Sequence, residues 1–266
     1  ERSAWKSSRC WPVGETGMIP QPYLVAPPLH LDYLPGSSDL LVLAFSGVGD
    51  PHQPVPPPEG TMLASWDGIN HVLFVRDASR SWMNAPGLVE TLRTAVDALI
   101  EKIKPQRVVA FGNSMGGTAA LIFAALARLD GVLAIAPQFS MKPEIVPEER
   151  RWRHFARTIT EWPFPSVPDL SALKDVMLLH GGDPFEIIHA RRFRVGSGTD
   201  HYILPDCGHA VARILKNKQI LRPLMAQALT GNMPEARTVV EAAGGIRFAD
   251  YWQQRRDARR ERRNAT

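Results

Sequence analysis

Short apolar runs alternate along the chain with longer stretches of helical spacing. Residues 40–45, Leu-Leu-Val-Leu-Ala-Phe, form an unbroken apolar run of strand length, the pattern of a strand covered on both faces. Comparable runs fall at 71–75, 107–111, 132–136, 175–180 and 201–204, and residues 29–34 alternate as a short strand does. Between them, Leu88, Leu92, Val96, Leu99, Ile100 and Ile103 recur on one helical face, with Pro86 and Gly87 before and Pro105 after. The small apolar residues of 114–129 predict a helix packed closely on a sheet. Residues 210–229 are helical in pattern, as are 234–263 with a break at Gly244-Gly245. Strands alternating with helices predict an α/β fold, a mostly parallel sheet with helices on both faces.

Two stretches depart from this rhythm. Residues 1–28 are rich in Pro, Gly and Ser and predict an irregular arm. Residues 137–174 hold several prolines together with Phe139, Trp152, Phe155, Trp162 and Phe164, and read as an insertion into the main domain at 29–252. Residues 253–266 form an Arg-rich tail.

The strongest chemical signal is Gly112-Asn113-Ser114-Met115-Gly116-Gly117, placed directly between a predicted strand and a predicted helix. In that context a Gly-x-Ser-x-Gly match is a nucleophile elbow. A tight turn lifts the Ser114 hydroxyl clear of the sheet edge, and residues 112 and 116 must be small to let the strand and helix meet. A serine needs a base to act as a nucleophile. Downstream, Asp183 follows the strand at 175–180, and His209 follows the strand at 201–204 within Cys207-Gly208-His209. All three thus fall beyond the carboxyl ends of strands, at one sheet edge. The expected roles are Ser114 as nucleophile, His209 as base and Asp183 as the acid that orients it. Asp206 is a rival acid, while Asp175 and Asp200 precede their strands and belong to the opposite edge. His180 and His189 lie near the site in sequence, and His201 begins a strand at the wrong end. For a developing oxyanion, the N–H of Met115 and that of Gly47 or Val48, in the loop after 40–45, are the candidate donors. Arg76 and Trp82 follow the strand at 71–75 toward the same edge. Either Arg76 binds a substrate carboxylate or it ties loops together with Asp77.

These features resemble the α/β-hydrolase superfamily over residues 38–230. The resemblance implies an eight-stranded, mostly parallel sheet with 137–174 as the cap, whose aromatic residues, Trp152 and Phe155 among them, line a substrate pocket or pack a small core of their own. It implies a serine hydrolase that cleaves a carboxylic ester or thioester through an acyl-enzyme. The elbow and the Cys207-Gly208-His209 loop are also similar to those of meta-cleavage-product C–C hydrolases, although Phe45-Ser46-Gly47-Val48-Gly49 and Ala210 depart from that family's pattern. The same loop and the stretch 76–82 resemble bacterial hydrolases linked to surface polysaccharides. An acyltransferase and a non-catalytic binding protein on the same fold are the other readings.

Composition narrows this picture. Of 266 residues, 44% are hydrophobic and 22% charged, the balance of a soluble globular chain. No apolar run reaches the roughly 18 residues of a membrane span. The first residues carry no basic and apolar leader, so a cytoplasmic setting is expected, in line with only two cysteines, Cys10 and Cys207. The net charge of +4 equals that of 252–266, where six arginines meet two acids, so the body sums to zero and no nucleic-acid partner is expected. No histidine spacing suggests a metal and no glycine loop suggests a nucleotide cofactor. The expected partner is a small ester or acyl substrate.

Overall fold

A computed structural model of the chain describes residues 19–264, so most of the predicted N-terminal arm lies outside the described residues. Among them one sheet is built from β1 (Gln21–Ala26), β2 (Leu29–Leu34), β3 (Leu40–Phe45), β4 (His71–Asp77), β5 (Arg107–Asn113), β6 (Gly131–Ile135), β7 (Val176–Gly181), β8 (Thr199–Leu204) and β9 (Ile246–Arg247). The order is β1-β2-β4-β3-β5-β6-β7-β8-β9, and every pairing from β4 through β8 is parallel. The remaining pairings, β1–β2, β2–β4 and β8–β9, are antiparallel. The helices are α1 (Thr61–Ala64), α2 (Leu88–Ile103), α3 (Met115–Ala127), α4 (Arg153–Ala156), α5 (Pro184–Ala190), α6 (Val211–Asn217), α7 (Leu221–Thr230), α8 (Met233–Ala242) and α9 (Phe248–Asn264).

The unbroken apolar runs are explained by two cores, one on each face. Successive side chains of a strand point to opposite sides. Leu41 and Leu43 enter the core shared with Leu92, Leu99 and Leu121 of α2 and α3. Val42 and Ala44 enter the other, with Leu224, Leu229 and Val240 of α7 and α8. From β3 the chain moves out to β4 and then returns to the other side at β5, so the crevice where direction reverses lies beyond the carboxyl ends of β3 and β5.

Several elements differ from the expectation. Residues 21–26 of the supposed arm are the edge strand β1. The helical stretch at 210–229 is two helices, α6 and α7, separated at Gln219, whose φ is 60°. The strand β9 and the short helix α5 were not foreseen. Residues 137–174 contain only α4 and turns, and the Arg-rich tail continues α9. No helix among the described residues is long and apolar enough to cross a membrane.

Candidate active site

Ser114 stands at the junction of β5 and α3 with φ 56° and ψ −124°, a conformation that costs a side-chain-bearing residue energy and persists only where its surroundings impose it. The surroundings are glycine-dependent. A Cβ on Gly112 would come within 2.2 Å of the Gly116 backbone, and one on Gly116 within 2.1 Å of the Phe45 carbonyl oxygen. The same close approach brings the loop after β3 against the first turn of α3.

The Ser114 hydroxyl donates to His209 Nε2 at 2.8 Å. His209 Nδ1–H in turn donates to a carboxylate at 2.8 Å, and that carboxylate belongs to Glu186 rather than to Asp183. This corrects the expected acid, and the reason is local. Asp183 is the N-cap of α5, and its side chain turns back to accept the Glu186 amide at 2.8 Å. Three residues on, the first turn of α5 carries the Glu186 side chain to the His209 ring. Asp-Pro-x-Glu at 183–186 is the signature of a capped helix start with proline in its first turn. Read in that way, it would have placed a second carboxylate near His209. Glu186 is 1% exposed. Burial pushes its carboxyl up, but the hydrogen bond from His209 and the charges of its neighbours, the Arg151 guanidinium among them, outweigh this and hold it at about 2. Arg151 Nη1 donates to the same Oε1 at 2.8 Å.

A second residue missing from the sequence reading is Gln138, fully buried just beyond β6. Its Nε2 donates to Ser114 Oγ at 3.0 Å, while its Oε1 accepts the indole N–H of Trp82 at 3.0 Å. An indole nitrogen only donates, so Trp82 fixes which end of the amide faces the serine. Trp82 therefore meets the site through Gln138.

The other expected site residues fall as follows. The Gly47 amide is engaged by the Glu59 carboxylate at 3.1 Å, whereas those of Val48 and Met115 meet no acceptor among the described residues. Burial raises Glu59, and the Gly47 hydrogen bond acts against this rise. Arg76 pairs with Asp32 of the neighbouring strand β2 at 2.5 Å and donates to the Pro56 carbonyl, while Asp77 accepts from Ser79 and Ser81. Arg80, 3% exposed, donates to the carbonyls of Val48, Asp50, Gln53, Pro54 and Ala78 and so holds the loop beside Met115. Trp152, Phe155 and Trp162 pack with Val48, Trp82, Met115, Met141 and Ala156, so these three aromatic residues rest on the elbow, while Phe139 and Phe164 pack on the core of α2 and α3. Asp175 and Asp200 pair with Arg107 and Arg237, away from His209.

No protein-family model and no curated protein sequence matches the chain. Solved structures match in fold. An esterase from Pyrobaculum calidifontis superposes with a TM-score of 0.52 at 16% identity, covering 76% of this chain and 80% of that one. The capsule O-acetyltransferase of Neisseria meningitidis serogroup A gives 0.50 at 12% identity, covering 80% and 97%.

Proposed function

We propose, from the premise that this chain has the α/β-hydrolase fold, that it is a serine acyl-transferring enzyme, first of all a hydrolase of carboxylic esters or thioesters. The observation that carries this reading is the unbroken hydrogen-bonded series from Ser114 through His209 to Glu186 at a strained turn. Ser114 Oγ attacks the acyl carbon and its proton passes to His209 Nε2. The Glu186 carboxylate holds the Nδ1 proton and stabilises the imidazolium. The amides of Met115 and Val48 receive the oxyanion. His209 then protonates the leaving alcohol or thiol, and water activated by the same ring releases the acid. An alcohol in the place of water gives acyl transfer, the activity named for the Neisseria protein of like fold.

Little space is open beside the elbow. The cavity beside the elbow, lined by Ser46, Trp82, Met115 and Ala119 among others, holds only about 10 Å³, and Ser114 is 6% exposed beneath 137–174. In this reading residues 137–174 act as a cap.

The test is intact mass after a fluorophosphonate, followed by a series of p-nitrophenyl esters. One adduct on the wild type, none on Ser114→Ala and a strongly slowed adduct on His209→Ala are expected, with acetate turned over faster than octanoate. A folded wild type that takes no adduct and cleaves no ester would refute the reading.

A further inference from the structure

A large cleft lies away from the serine, between α5 and α9. It encloses about 890 Å³ and is lined by Gly182, Pro184, Ile187 and Ile188 on one side, Trp252 and Ala258 on the other, and four arginines, Arg191, Arg255, Arg256 and Arg262. That volume is in the range of small-molecule sites. Among the described residues no acid lines it. Among the described residues Arg255 and Arg256 hydrogen-bond neutral groups, the Tyr251 hydroxyl and the Gln253 side-chain carbonyl. Arg191 pairs with Glu148, an acid it shares with Arg192.

The charges of α9 are sorted by face. Arg255, Arg256, Arg262 and Arg263 stand three, four, ten and eleven residues after Trp252, on its side of the helix. Asp250, Asp257 and Glu261 follow one another at intervals of seven and four on the opposite side. A helix built only for solubility gains most from interleaving its signs at i, i+4. Here Arg255 and Arg256 face a cavity whose other wall adds Arg191.

We propose that this cleft binds a small phosphorylated ligand that carries at least two phosphate groups on a flat or apolar body. Guanidinium forks match phosphate oxygens two at a time. Trp252, Ile187 and Ile188 offer the apolar surface for the rest of the ligand. The site shares α5 with the catalytic series, since the first turn of that helix carries Glu186, but it does not rest on the serine chemistry.

Calorimetric titration of the full chain at low salt tests this with ADP, pyrophosphate and adenosine as probes. ADP is expected to bind once per chain, pyrophosphate more weakly, and adenosine weakest. Arg255→Ala with Arg256→Ala should weaken ADP by about tenfold or more, the loss of roughly one charged contact. Arg260→Ala, on the same helix but outside the cleft, should change it little. Trp252→Ala should weaken ADP and spare pyrophosphate, and Ser114→Ala should change neither. Absence of heat with ADP and pyrophosphate at millimolar concentration would overturn the proposal. Equal weakening by Arg260→Ala, or tighter binding of a short DNA duplex than of ADP, would overturn it as well, because either describes a diffuse basic surface.

Discussion

At the scale of single residues, the two carboxylates of the first turn of α5 have separable duties. Glu186→Gln keeps the shape but removes the charge on His209, and kcat is expected to fall by about a thousandfold or more in the ester assay. Asp183→Ala removes only a helix cap, so it is expected to lower stability in urea by about 1 kcal/mol and leave kcat within a few fold. The reverse ranking would restore Asp183 as the acid. Gln138 offers a second contrast. Its amide nitrogen faces Ser114 because Trp82 at 3.0 Å, with Thr118 at 3.4 Å, occupies its oxygen. Gln138→Leu is expected to lower kcat by about tenfold to a hundredfold with KM unchanged, through loss of the contact that positions Ser114 Oγ for attack. Trp82→Phe, which keeps the bulk and lets the amide turn over, should reproduce part of that loss. If Gln138 only fills space, Gln138→Met, which keeps the volume, will match the wild type. Ser114 and His209 were legible in the sequence because each sits in a short local pattern at a strand end. Glu186 was not, because the short helix carrying it shows no period, and Gln138 owes its place to β6 ending beside the elbow.

Elements differ in legibility for the same physical reason. β3 to β8 are covered on both faces, and double burial writes an apolar run into the sequence. The edge strand β1 has no fully buried residue and carries Pro22, and β9 has two residues; neither buries enough to leave a pattern. The stretch 137–174 was recognisable as an interruption, but its attachment was not. Arg151 donates to Glu149 through Nε and Nη2 and to Glu186 through Nη1, and Glu149 also accepts His189 Nε2–H at 2.8 Å. Thus Arg151 fastens the stretch 137–174 to α5 and to the carboxylate on His209. Removing one partner of a buried charged group strands the others. Arg151→Met is expected to destabilise the fold by about 3–5 kcal/mol in urea, with a larger share of the lost activity restored by Arg151→Lys than of the lost stability. A variant as stable as the wild type would mean that water already solvates Glu149 and Glu186.

Over the whole molecule, the buried histidines and the paired glutamates beneath and within α5 favour neutral over acidic solution, and they do so in two stages. His180 and His201 are buried together, with His201 Nε2–H donating to His180 Nδ1 at 3.1 Å and His180 Nε2–H donating to the Pro137 carbonyl at 3.1 Å. Burial lowers His180 to about 4 although Glu186 pulls it upward, and burial with the His180 charge lowers His201 well below its ordinary value. Burial also lowers His189, against the pull of Glu149. A histidine whose folded value lies below its unfolded one binds more protons when unfolded, so its contribution is complete above about pH 6.5 and is lost as pH falls toward the folded value. For His180 alone the drop from 6.5 to about 4 corresponds to a loss on the order of 3 kcal/mol. Glu149 and Glu186, held at about 2 from an ordinary 4.5, contribute fully above about pH 4.5 and lose that contribution as pH falls toward 2. The melting temperature is therefore expected to be level above pH 7, to fall between pH 6.5 and 4, and to fall further below 4.5. His201→Gln retains a donor for His180 Nδ1 while deleting one titration, and should flatten the first stage without altering the second. A melting profile that stays level from pH 7 to 5 in the wild type would mean that these histidines reach water in the folded state, and that the core beneath α5 is more open than its packing shows.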